Sequence, residues 1–344
     1  VPAVTDSAVN THIGLEPETV AVFVILACAA FALDMWGNRG DKAISIRKAV
    51  AWTLFWLAVG FGFAVFLALH FNTEVASLYL AGYLFEQALS VDNLFVMMAI
   101  FAWFRVGQGY EHRVLYWGVL GAVVFRLIFV AVGTSLFALG PVVELLFAAL
   151  VGLSGVMMLK KHDENEIADI TKNLAYRAVR SFIPVYPKIT SHAFFLSKRE
   201  VEAELKKPGN RDVKLKRSGK WFATPLFLCM AVIETTDVMF AFDSVPAVIA
   251  VSREPLIVYS AMMFAVLGLR SMYFVLDALR RYLVHLEKAV VALLFFIAFK
   301  LFFGATLHLW GFGIDIDVYV SLGVIAALLG LGVIASLIFP GKKA

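Results

Sequence analysis

The sequence is poor in charge and in cysteine. Asp, Glu, Lys and Arg make up 16% of its 344 residues, against about 25% in an average soluble domain. With 61% hydrophobic residues and a mean hydropathy of +0.83, that scarcity excludes disorder, a fibrous repeat and an ordinary water-soluble enzyme. The only two cysteines, Cys28 and Cys229, lie inside apolar runs. They exclude a disulfide framework and read as small buried hydrophobes. A nucleotide-binding loop and a large soluble domain are both missing. This argues against ATP-driven pumping, and enzymatic activity is not expected.

What is present is length enough for many membrane crossings, each needing about 20 apolar residues. Nine apolar stretches run at 19–36, 49–70, 75–104, 114–137, 141–159, 221–251, 256–276, 289–309 and 317–339. The expected fold is an all-α polytopic membrane protein with about nine transmembrane helices. Residues 1–18 form an extracytoplasmic N-terminus. A first transmembrane half (19–159, five spans) and a second (221–344, four spans) flank a cytoplasmic basic segment at 160–220. Residues 1–18 hold no Lys or Arg and no apolar core, so they do not read as a signal peptide. The sequence leaves open whether residues precede Val1.

The basic residues give the orientation. Of 30 Lys and Arg, 26 fall in one alternating set of connections. The other set has Arg253 alone, beside Glu74, Glu254, Asp315 and Asp317. This places the N-terminus outside and the C-terminus in the cytoplasm. Residues 160–220 hold 15 of the Lys and Arg and 8 of the Asp and Glu, a surplus of +7. These charges border spans, so they do not indicate a nucleic-acid partner. Within this segment Ile167, Ile170, Leu174 and Phe182 have roughly helical spacing, with Lys172, Arg177 and Arg180 between them. An amphipathic helix on the inner membrane face and a solvated linker helix fit equally well.

An ionisable residue at membrane depth costs about 2.5–3.5 kcal/mol on insertion scales, so such residues carry the most information. The third stretch holds Glu86 and Asp92, followed by Asn93. The sixth holds Glu234, Asp237 and Asp243, followed by Ser244. Glu86 to Asp92 and Asp237 to Asp243 are each six residues. The next spans each carry one arginine near mid-depth, Arg126 and Arg270. Three spans separate the copies, so the second is inverted, the pattern of transporters with a shared midplane site. Six residues on an unbroken helix rotate the side chain by about 240°, so a common site calls for broken helices. Pro246 supplies a reason for a break beside Asp243.

Five carboxylates face three candidate charge partners, Arg126, Arg270 and Lys300, and the negative excess asks for a cation. Ser90, Asn93, Thr235, Thr236 and Ser244 add oxygen donors, and all seven histidines lie in loops or near span ends. An all-oxygen set suits Mn²⁺, Mg²⁺ or Ca²⁺ and disfavours Zn²⁺ and copper. The residues do not order those three. Purely structural ion pairing with Arg126 and Arg270 is the competing reading. Glu144 follows Pro141 in a first helical turn, where a carboxylate is favoured, and is left out of the site.

The run from Phe85-Glu86 through Leu89-Ser90-Val91-Asp92-Asn93-Leu94-Phe95-Val96 resembles the TerC family of integral membrane proteins. So does the run from Glu234 through Thr236-Asp237-Val238-Met239-Phe240-Ala241-Phe242-Asp243-Ser244-Val245-Pro246-Ala247. Gly118-Val119-Leu120-Gly121 before Arg126, Leu267-Gly268-Leu269-Arg270-Ser271 and, less closely, His192-Ala193-Phe194-Phe195 match as well. The likeness covers roughly 15–340 and looks nearest to the Alx branch. Thr236 stands where the family often has Ser, which keeps a hydroxyl. The resemblance implies manganese export across the inner membrane. It also implies links to tellurite resistance, alkaline-pH response and metal supply for exported proteins. The implied fold is similar to the LysE superfamily, with three-plus-three inverted spans. It implies acidic site residues at Glu86, Asp92, Glu234, Asp237 and Asp243, with Mn²⁺ as the transported ion.

The expected function is therefore a secondary transporter exporting Mn²⁺ through a midplane carboxylate site, in exchange for protons. A membrane scaffold, insertion factor or metal-supply partner with a fixed structural ion is the alternative. The partners expected are a divalent metal ion, the bilayer, and a second copy or other membrane proteins.

Overall fold

Apolar runs bounded by capping residues fold here as helices. In the computed structural model the described residues are 45–160, 170–207, 217–279 and 285–339, with 210, 213, 215 and parts of 21–33. The side chains of Gln108, Lys160, Lys172 and Asp243 lie outside the description. In chain order the elements are α1 (Ile46–His70), α2 (Thr73–Phe104), α3 (Gln108–Phe137), α4 (Pro141–Lys160) and α5 (Leu174–Phe182). Then come β1 (Phe195–Ser197), α6 (Lys198–Leu205), β2 (Trp221–Ala223), α7 (Pro225–Val251), α8 (Pro255–Leu267), α9 (Leu269–Leu279), α10 (Leu286–Trp310) and α11 (Val318–Ile338). Asn72 caps α2 by accepting from the Val75 amide at 2.8 Å, and Asp317 caps α11 by accepting from the Tyr319 amide at 2.8 Å. Such caps satisfy amides that have no partner within the helix.

The protein is an all-α polytopic membrane protein. Seven described helices are long and apolar enough to cross a bilayer, and α8 with α9 makes an eighth if that bent pair is one span. Eight of the nine stretches read from the sequence coincide with these. The first, at 19–36, falls largely outside the described residues. Its described parts at 23–26 and 28–30 are helical, and the Phe23 ring meets Tyr259 edge-on at 5.6 Å.

Two boundaries depart from expectation. Residues 221–223, read as the start of the sixth span, form β2 and pair antiparallel with β1, Phe195 opposite Ala223. Thr224 then caps α7, with Pro225 at its first turn. The Thr224 hydroxyl donates to the Ala193 carbonyl at 2.9 Å, tying the 192–195 motif to the start of the acidic span. The second departure concerns the expected helix breaks. Both α2 and α7 run unbroken through their acidic motifs, and α7 includes Pro246. Pro246 lacks only the bond to the Phe242 carbonyl, and the fully buried Ala247, Val248 and Ile249 hold that turn in place. The break falls instead at Gly268, where α8 and α9 bend by 53° two residues before Arg270. A Cβ at Gly268 would lie 3.3 Å from Trp56 of α1, so the bend sits where a neighbour crowds the backbone.

The spans pack in a consistent pattern. The α4 helix lies along α10, α3 along α7, and α2 contacts α7, α8 and α11, while α1 rests on α2 and α9. Between α4 and α7, Tyr186, Leu196, Val201 and Phe222 form a small core of their own. Of the amphipathic pattern read there, Leu174, Arg177, Arg180 and Phe182 fall on α5, Ile170 and Lys172 lie in a short 3-10 turn just before it, and Ile167 lies outside the described residues. Tyr176 of α5 packs on Trp103 and Phe104 at the end of α2, with ring centroids 5.7 and 6.3 Å apart.

Candidate cation site

Three spans bring their charges to one buried point. Glu86 of α2 is fully buried, and Arg126 of α3 and Asp237 of α7 are 1% and 3% exposed. Arg126 Nη1 pairs with Glu86 Oε1, and its Nη2 donates to Asp237 Oδ1 at 3.3 Å. One guanidinium thus joins two carboxylates on two different spans. The neutralisation is incomplete: two acids share one cation. Glu86 Oε2, Asp237 Oδ2 and Arg126 Nε are buried without a hydrogen-bond partner among the described residues. A buried polar group in that state costs on the order of 1–3 kcal/mol. The cluster is therefore a place where an added charge or proton has free lone pairs to meet.

Glu234 lies one turn before Asp237 on the same face of α7, since three residues bring side chains together on a helix. Its carboxylate fills the space beside Gly121 of α3. A Cβ built on Gly121 would overlap both carboxylate oxygens and their carbon, and one on Gly118 would lie 3.8 Å from Oε1. The two glycines leave α3 bare where α7 presents this acid. Glu234 Oε2 is also buried without a hydrogen-bond partner among the described residues. The adjacent Thr235 and Thr236 hydroxyls donate to carbonyls four residues back, Ala231 and Val232, at 2.8 Å each.

The other expected residues are distributed as follows. Asn93 and Ser244 are buried, and Asp92 is half-buried. Because α2 is unbroken, Asp92 points about 240° around the helix from Glu86. The Ser90 and Ser244 hydroxyls are buried without hydrogen-bond partners among the described residues. Arg270 is 1% exposed and lies just after the Gly268 bend. The Asp243 backbone belongs to α7, and its side chain is outside the description. Lys300 Nζ donates to Ser321 Oγ at 2.8 Å, and that hydroxyl donates to the Asp317 carbonyl at 3.0 Å. Lys300 thus ties α10 to the first turn of α11. Among the described residues no group of three or more His, Cys, Asp or Glu is placed to hold a metal ion; a guanidinium stands between Glu86 and Asp237.

Sequence reasoning missed two features. Glu144 pairs with Arg253, Nη2 to Oε1 at 3.0 Å; a lone outer arginine opposite a buried first-turn acid was the available signal. The contact between Gly121 and Glu234 was also missed, although the Gly-x-x-Gly spacing was in view.

Residues 71–344 match the Integral membrane protein TerC family. The chain belongs to that family. It is 59% identical to the tellurium resistance protein TerC of Serratia marcescens and 58% identical to that of an Alcaligenes species, each over 97% of both chains. It is 33% identical to Escherichia coli K12 Alx, named as a candidate membrane-bound redox modulator, over 89% of this chain and 90% of that one. Both the tellurium resistance proteins and Alx are thus relatives of the chain, at higher identity for the former. No solved structure matches it significantly.

Proposed function

We propose that this TerC-family protein is a secondary transporter that exports a divalent cation, Mn²⁺ foremost, across the inner membrane. The reading rests on one observation: a buried carboxylate pair on two spans, bridged by one arginine and left with oxygens that have no hydrogen-bond partner among the described residues. Glu86, Glu234, Asp237, Asp92 and Asp243 supply the charge, and Asn93 and Ser244 supply neutral oxygens. Hard oxygen donors suit Mn²⁺, Mg²⁺ and Ca²⁺ alike; the choice of manganese comes from family resemblance.

Arg126 acts in this scheme as the resident cation. With no metal bound it compensates Glu86 and Asp237 in a medium where two unpaired carboxylates would be prohibitive. An incoming divalent ion competes for the same oxygens, and the guanidinium withdraws as it binds. Protons serve the same carboxylates when the metal leaves, which couples metal movement to a proton gradient. The packing supports an inverted repeat of α2, α3, α4 against α7, α8–α9, α10. Exchanging the two sets turns the α2–α8 contact into α7–α3 and the α4–α7 contact into α10–α2. It also leaves the α2–α7 and α4–α10 contacts in place. The bend at Gly268 gives one repeat a break in its span beside its arginine. Orientation follows the basic connections, with the N-terminus outside and the C-terminus in the cytoplasm.

The deciding experiment is Mn²⁺ flux into proteoliposomes under an imposed pH gradient, for the unaltered chain and for Glu86→Gln and Asp237→Asn. Flux that depends on the gradient and is lost in both variants supports transport. Metal binding with no flux in the unaltered protein overturns it in favour of a scaffold with a fixed ion.

A further inference from the structure

The α5 helix has two apolar sides, and the described residues cover only one. Tyr176 faces inward onto Trp103 and Phe104, the last two residues of α2, and α5 also packs on α7. Phe104 ends a span, so α5 lies at the depth where the helices leave the hydrocarbon. On the other side Leu174 is 77% and Phe182 84% exposed, with exposed Ala178 midway. Four-residue steps place the three in one stripe. Leaving a Leu and a Phe in water forgoes about 1.5–3 kcal/mol for each.

Guanidinium groups lie beside this stripe. Arg177 and Arg180 are exposed on the same helix. Arg180 donates to the Tyr176 hydroxyl at 2.6 Å and lies over its ring at 5.2 Å. Arg217 reaches from the neighbouring loop to donate to the Ser181 carbonyl. The surrounding segment is +7. An apolar stripe edged by arginines at the depth of span ends has the chemistry of the boundary between acyl chains and phosphate groups.

We propose that α5 is an interfacial helix that seats Leu174, Ala178 and Phe182 in the membrane surface and binds anionic phospholipid headgroups through Arg177, Arg180 and Arg217. The occupant is lipid rather than a protein partner because the stripe is narrow, lies at span-end depth and is flanked by positive charge.

The test uses the full-length protein in nanodiscs of phosphatidylcholine with or without phosphatidylglycerol. Cys28 is replaced by Ala, while Cys229 is fully buried and stays. Phe182→Cys carries an environment-sensitive fluorophore, and Arg199→Cys, on exposed α6, serves as the reference. The label at 182 should shift to the blue and be quenched by lipids bearing a nitroxide on the acyl chain, more strongly with phosphatidylglycerol. The reference should do neither. Arg177→Gln and Arg180→Gln should each weaken the phosphatidylglycerol-dependent seating by about fivefold. A label at 182 as solvent-exposed as the reference overturns the proposal. So does a blue shift without lipid quenching, which would mean that protein covers the stripe. Seating indifferent to phosphatidylglycerol and to both arginines overturns the headgroup assignment. Labelling Leu174→Cys instead gives the same readout if Phe182→Cys does not fold.

Discussion

Arg126 reaches from α3 to place Nη2 3.3 Å from Oδ1 of Asp237 on α7, and its other terminal nitrogen pairs with Glu86 on α2. All three side chains are buried, so water cannot take over if one is removed. Removing one member of a buried ion pair costs about 3–5 kcal/mol, because the remaining charge is stranded. Arg126→Gln should therefore lower thermal stability in detergent strongly, since it strands two carboxylates. Glu86→Gln should cost less, since Arg126 keeps Asp237. The double variant Glu86→Gln/Arg126→Gln should be more stable than the sum of the singles implies. Strictly additive melting shifts would show that the three groups do not act as one network.

Gly121 makes the second prediction. The atoms that a Cβ there would strike belong to the end of the flexible Glu234 side chain, so Gly121→Ala should fold with its carboxylate displaced. If Glu234 is a cation ligand, misplacing it should weaken apparent Mn²⁺ affinity by about 10–100-fold, the usual effect of disturbing a ligand's support. Shortening the acid by one methylene gives it room to return. Gly121→Ala/Glu234→Asp should recover part of the lost affinity relative to Gly121→Ala, measured as the concentration for half-maximal flux. No recovery, with both variants folded, would assign Gly121 to helix packing alone.

Much of this site is legible without a structure because lipid makes charge expensive. Glu86, Asp237 and Arg126 stand out in the sequence for the reason that they pair in the fold: none is tolerated alone at that depth. What sequence could not give is which acid meets which arginine, since that depends on α2 and α7 both lying against the packed bundle. The bend at Gly268 was hidden for a related reason. Pro246 carries a conspicuous local signal, but tertiary packing around a buried α7 overrides it, while the crowding at Gly268 comes from Trp56, more than two hundred residues away in sequence. The strand at 221–223 was hidden because a three-residue apolar run looks the same at the start of a span and in a sheet.

The Ser197–Glu200 capping box gives a pH prediction outside the membrane. Glu200 Oε2 accepts from the Ser197 amide at 2.7 Å and from its hydroxyl at 2.8 Å. These bonds, the backbone one first, hold the Glu200 carboxyl below its ordinary value. A depressed pKa in the folded state contributes stability above the unfolded value, about 4.3 for Glu. That contribution is lost as pH falls through the folded value. Amide protection across α6 should therefore drop on acidification below about pH 4. Glu200→Gln should flatten that dependence while leaving the α10 amides unaffected. Hydrogen exchange read by mass spectrometry at several pH values checks this, and an unchanged profile in Glu200→Gln would remove the capping box as its cause.

The Arg253–Glu144 pair ties the connection after α7 to the first turn of α4. Glu144 is 5% exposed, but the Arg253 side chain is 61% exposed. Water screens one partner, so the pair should be worth about 1 kcal/mol rather than the larger figure of the buried network. The arginine does more than supply charge, because its guanidinium lies over the Phe137 ring at 5.3 Å. Arg253→Lys should keep the attraction and lose the planar stacking, giving a melting loss between none and that of Arg253→Gln. A swapped pair, Glu144→Arg with Arg253→Glu, should not restore stability, because a cation in the first turn of α4 opposes the helix dipole that Glu144 satisfies. Melting curves of the three variants and the unaltered protein at low and high salt decide the matter. Full restoration by the swap would reduce the contact to simple charge pairing and leave the helix terminus without a role.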